Sequence, residues 1–100
     1  MVVADPLGVA AFDLDQAWIL SEGVALRLER FGALAYDFRT RRLAMLKDPR
    51  LVDVVRALAS HASAREACAA AGVDAARLGS FSRTLGLMAR SGMIRLRESA

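Results

Sequence analysis

The stretch GVALRLERFGALAYDFRTRRLAMLKDP, Gly23 to Pro49, decides the fold, because its apolar residues keep a period of two up to Lys47 and lose it at Asp48-Pro49. Val24, Leu26 and Leu28 alternate with Ala25, Arg27 and Glu29, as a half-buried strand requires. Arg30-Phe31-Gly32 interrupts the run, and Leu34, Tyr36 and Phe38 resume it against Ala33, Ala35 and Asp37, so the short link makes a hairpin. After the turn Arg39-Thr40-Arg41-Arg42, a third strand covers Leu43 to Lys47, and the three strands should form an antiparallel meander. In the third strand Leu43 and Met45 point one way and Ala44 and Leu46 the other, so both faces are apolar. One face meets the helices; the other is covered by the N-terminal arm or waits for a partner.

Beyond Lys47 the pattern is helical. Asp48 is a good N-cap and Pro49 suits the first helical position, and Leu51, Val54, Val55 and Leu58 form one apolar face of a helix from Pro49 to Ser60. Ser63-Ala64-Arg65-Glu66 reads as a capping box opening a short alanine-rich helix that Gly72 closes. Asp74 caps the last helix, with Leu78, Phe81, Leu85 and Met88 as its stripe and Gly92 as its end, and Met93 to Arg97 alternates weakly, as a short terminal strand would. Before the meander, Ser21-Glu22-Gly23 is a turn with Gly23 able to take positive φ, and Trp18, Ile19 and Leu20 begin the packed part. Residues 1–17 show neither period and read as a mobile or loosely docked arm. The expected plan is α+β: an arm over 1–17, then one winged-helix-like domain over 18–100 in which a three-stranded antiparallel meander precedes three helices.

Composition narrows the function. One hundred residues suit a single domain, and a net charge of +3 with basic and acidic side chains interleaved permits a nucleic-acid partner without indicating one, so none is expected. No stretch of 18 uncharged apolar residues occurs, and the apolar start carries no Lys or Arg ahead of it, so neither a membrane span nor a secretory signal is expected and the cytoplasm is the default compartment. Cys68 is the single cysteine and sits among alanines as a small core residue would; His61 is the single histidine and lies in a helix–helix connection without a second ligand at metal spacing. Asp13 and Asp15 read as solvated charge. No GxGxxG or GxxxxGK pattern is present, and one histidine leaves little for a nucleophile–base pair, so no catalytic residue, metal or cofactor is expected.

The quoted stretch, and within it FGALAY (Phe31 to Tyr36) and TRRL (Thr40 to Leu43), closely resembles the mycofactocin-system peptide chaperones. REACAAAGV (Arg65 to Val73) and ARSGMI (Ala89 to Ile94) continue the match, which covers residues 18 to 96. Those proteins are RiPP recognition elements, similar in plan to the pyrroloquinoline-quinone peptide chaperone. The resemblance implies a non-catalytic adaptor that binds the leader of a ribosomal precursor peptide and delivers it to a radical SAM maturase, which carries the iron–sulfur clusters. It also implies that the leader adds as a strand beside the third strand and lies against the third helix. The residues assigned to it are Arg41, Arg42, Leu43, Ala44, Met45 and Leu46 from the strand side, and Leu78, Phe81, Ser82 and Leu85 from the helix. An edge strand with free N–H and C=O groups suits strand addition independently of the resemblance. The rival reading is a winged-helix DNA-binding regulator with Asp74 to Arg90 as recognition helix, but Ser80, Arg83, Thr84 and Leu87 make a thin base-reading surface. A homodimer is left open.

Overall fold

The switch of period at Asp48 is the switch from sheet to helix in the computed structural model, which describes residues 11–97. Its elements are β1 (Trp18–Leu20), β2 (Val24–Glu29), β3 (Gly32–Asp37), β4 (Arg42–Leu46), α1 (Pro49–Ala57), α2 (Ala64–Ala70), α3 (Ala75–Arg90) and β5 (Ile94–Leu96). Strands β2, β3 and β4 form the expected antiparallel meander, in that order across the sheet, and three helices follow it.

The caps form as their residue types require. Asp48 Oδ1 accepts the Arg50 N–H at 2.8 Å, Ser63 Oγ accepts the Glu66 N–H at 3.1 Å, and Asp74 Oδ1 accepts the Arg77 N–H at 3.0 Å. The α-helix expected to run to Ser60 ends at Ala57 and tightens into a 3-10 turn over Leu58–Ser60. There Arg97 Nη1 donates to the carbonyls of Leu58, Ala59 and His61 at 2.9 to 3.2 Å, satisfying acceptors that a helix end leaves open.

Three features depart from the sequence pattern. First, Trp18–Leu20 is a strand: it pairs antiparallel with β5 through Trp18↔Leu96, Ile19↔Arg95 and Leu20↔Ile94 as a separate two-stranded sheet. Second, the larger side chains of β3 lie outside. Ala33, Ala35 and Asp37 are buried and pair with Leu28, Leu26 and Val24, whereas Leu34 and Tyr36 are half-buried and Phe38 is exposed on the opposite face. The inner surface of β3 meets α1, and the space there is filled by Leu46, Leu51, Val54, Val55 and Leu58; alanines let the helix approach. Third, Gly23 is not at positive φ. A Cβ there would stand 2.8 Å from the Arg39 side chain, so any larger residue would have to displace that crossing side chain.

Residues 1–10 of the arm lie outside the described residues. Over 11–17 the chain is held closely: Phe12 and Leu14 pack against the core, with the Phe12 and Trp18 ring centroids 5.0 Å apart, and Asp13 O accepts from Trp18 Nε1 at 2.8 Å. The carbonyls of Gln16 and Leu14 accept the N–H groups of Ala64 and Arg65, two donors that the first turn of α2 cannot use internally. Asp15 pairs with Arg65 at 2.7 Å. No described helix is long and apolar enough to cross a membrane.

Candidate functional site

Strand β4 is an edge of the meander, paired to β3 from Asp37↔Arg42 to Ala33↔Leu46 and with no strand on its other side among the described residues. Beyond that edge a groove of about 300 Å³ separates β4 from α3. Its apolar wall is Met45, Leu51 and Phe81; its polar wall is Lys47, Asp48, Arg77, Ser80 and Thr84.

Helical spacing puts Arg77, Ser80, Phe81 and Thr84 on one side of α3. Ser80 Oγ and Thr84 Oγ1 donate back to the carbonyls of Arg77 and Ser80, at 3.0 and 3.2 Å, so the α3 wall of the groove is smoother than its residue types suggest. Arg77 is placed twice: Nη2 donates to Asp48 Oδ2, and its guanidinium carbon lies 5.5 Å from the Phe81 ring centroid. Asp48 therefore caps α1 with one oxygen and bridges to α3 with the other.

A polar latch fixes the far end of the meander. Asp37 has no exposed surface, and it accepts from the Arg39 N–H at 2.9 Å and from Arg39 Nε and Nη2 at 3.2 and 3.1 Å. These guanidinium bonds hold its carboxyl below the usual carboxylate range, against the opposing effect of burial. Arg39 Nη2 and Ser21 Oγ both donate to Gly92 O, at 2.9 and 2.6 Å, which ties the β3–β4 turn to the end of α3. In that turn Arg41 donates its N–H to Asp37 O at 2.7 Å with φ at 61°, a conformation that favours glycine.

The residues assigned from the sequence do not all reach one place. Met45 and Phe81 line the groove. Leu46 and Leu85 are fully buried in the core, Ala44 and Leu78 pack partly against it, and Arg41 and Arg42 are exposed at the turn end of β4. Leu43 lies on the outer sheet face, where it borders a shallow depression with Tyr36 and Leu34. Ser82 faces a different cavity, of about 700 Å³, with Phe12, Leu14 and Leu96. The groove residues absent from the sequence assignment are Lys47, Asp48, Leu51, Arg77, Ser80 and Thr84. The i, i+3, i+7 spacing of Arg77, Ser80 and Thr84 was visible, but only the position of β4 shows which side of the helix matters. Cys68 is buried, and burial pushes its thiol pKa up, away from thiolate chemistry.

Residues 17–95 match the model of the peptide chaperone MftB family. The chain belongs to that family. The Peptide chaperone MftB of Mycobacterium ulcerans is 46% identical over 87 residues, covering 87% of this chain and 80% of the relative. That of Mycolicibacterium smegmatis is 45% identical over 83 residues, covering 83% and 81%, and that of Mycobacterium tuberculosis 41% over 88 residues, covering 88% and 81%. No solved structure matches. The matched span contains the whole meander, all three helices and the groove between β4 and α3.

Proposed function

We propose that this chain is a non-catalytic chaperone that binds the leader of a ribosomally made precursor peptide and presents it to a radical SAM maturase in mycofactocin biosynthesis. The observation that carries this reading is the edge of β4, which pairs with no further strand among the described residues and stands beside the groove against α3. An extended peptide satisfies the edge through its backbone and inserts alternate side chains between Met45, Leu51 and Phe81. The winged-helix-like plan serves this by standing the last helix off the last strand of the meander. Names shared by relatives at 41% to 46% identity support the peptide; the maturase and the pathway rest on the resemblance carried by Phe31 to Tyr36 and Thr40 to Leu43. In this reading the chain works in the cytoplasm, holds no cofactor and contacts no nucleic acid, and a homodimer is compatible with it.

Amide exchange tests the site. Adding the precursor peptide should slow exchange selectively across Arg42 to Lys47, since newly paired N–H groups are protected. Met45→Asp should lower peptide affinity about tenfold, equivalent to about 1.4 kcal/mol, with a smaller loss of stability because Met45 is 53% exposed. Arg41→Glu with Arg42→Glu separates a contribution of the turn charges. Protection confined to residues 11–17, or to Arg83 and Leu87, which do not line the groove, would place the peptide elsewhere.

A further inference from the structure

The groove between β4 and α3 is asymmetric in charge. Two cations, Lys47 and Arg77, border it against one carboxylate, Asp48, and that carboxylate is already committed to the α1 cap and to Arg77. Arg77 retains unused capacity: a guanidinium has five N–H donors, and among the described residues its side chain reaches only Asp48. It is nevertheless held in place, by that carboxylate on one side and the Phe81 ring beneath it. The Phe81 ring centroid is 5.5 Å from the guanidinium carbon.

We infer that the groove selects an extended segment carrying an aliphatic residue with an Asp or Glu near it in sequence. The inference rests on the peptide-binding reading and names the chemistry of the peptide. The aliphatic side chain enters between Met45, Leu51 and Phe81; the carboxylate takes the open donors of Arg77, with Lys47 alongside. Asp48 is then an internal competitor. It keeps the guanidinium over the ring when the groove is empty and is partly displaced when a peptide carboxylate arrives. Charge-assisted pairing with a planar guanidinium also rewards a carboxylate over its amide, which has the same shape and no charge.

The test uses the full chain and a synthetic leader of its ribosomal precursor peptide, made in single Asp→Asn and Glu→Gln forms, with affinity and melting measured for every protein. Against wild-type protein one amide form should bind about tenfold more weakly than the parent. Arg77→Met should weaken the parent by a similar factor and no longer distinguish it from that amide form, and Arg77→Lys should restore part of the discrimination. Asp48→Asn retains a good N-cap while removing the competing charge, so it should bind the parent several-fold tighter and widen its preference over the amide form. Amide forms that all bind like the parent, or an Arg77→Met protein that weakens parent and amide alike, overturn the acidic-residue inference while leaving peptide binding intact. A wild-type protein that binds none of the forms overturns the peptide-binding reading itself.

Discussion

Gly32→Ala is expected to be among the most damaging single-methyl additions in this chain. Gly32 opens β3 with φ at 149°, and a Cβ built on it would stand 2.0 Å from the Leu46 carbonyl oxygen and 3.1 Å from the Asp48 nitrogen. Ordinary contact needs about 3.5 Å, and both neighbours are backbone, so no side chain can swing aside. The strained φ costs about 1–3 kcal/mol and the forced separation of β3 from β4 about 1–3 kcal/mol more. Against a total stability of about 5–15 kcal/mol that is a large fraction, and for a domain of this size it lowers Tm by at least about 8 °C. Gly72→Ala is the control, because Gly72 also has positive φ, 82°, but nothing lies within 4 Å of its Cβ position. It should lose the conformational part alone. Thermal melts followed by circular dichroism decide the matter. If Gly32→Ala melts within about 4 °C of wild type, or no lower than Gly72→Ala, the close approach of Gly32 to Leu46 is wrong, and with it the register that presents the edge of β4.

Two further outcomes probe the sheet. Ala35→Leu should cost about 1–3 kcal/mol by overpacking the buried face, while Leu43→Ala, at 60% exposure, should stay within about 0.5 kcal/mol; the opposite ranking of urea midpoints would mean that the meander faces the other way. The carboxyl of Asp37 has its folded pKa lowered from 3.8, chiefly by the Arg39 hydrogen bonds, so its contribution is complete above the unfolded pKa and is lost as pH falls through the depressed folded value. Asp37→Asn should therefore lower stability at neutral pH and flatten its decline below about pH 4, and an unchanged acid limb in urea titrations would remove Asp37 from that role.

Legibility in the sequence followed the range of the interactions. Alternation from Val24 to Leu46 and the caps at Asp48, Ser63 and Asp74 depend on neighbours within a few residues, and each of those elements forms. The pairing of Trp18–Leu20 with Ile94–Leu96 joins segments from opposite ends of the chain; the weak alternation of Met93 to Arg97 marked the second as a strand, but Trp18–Leu20 is too short to show a period and becomes a strand only against it. The docking of Leu14 and Gln16 onto α2 runs through backbone carbonyls, which any residue type supplies. At the groove, Met45 and Phe81 were legible as apolar residues of the right elements. Arg77 was not, because among 13 arginines nothing local sets it apart, and Lys47, although the single lysine at the end of the third strand, gave no sign that it borders a groove.

Residue order alone therefore determined which segments are strands of the meander and which are helices, because pleat, helical period and end-capping are short-range chemistry. The family resemblance was likewise carried by local strings such as Phe31 to Tyr36. Only the tertiary structure decided which face of β3 is buried, since alternation is symmetric and the approach of α1 alone breaks the tie in favour of Ala33 and Ala35. It also decided that Arg77 of α3 meets Asp48 ahead of α1, an encounter set by how far the helices stand from the edge of β4.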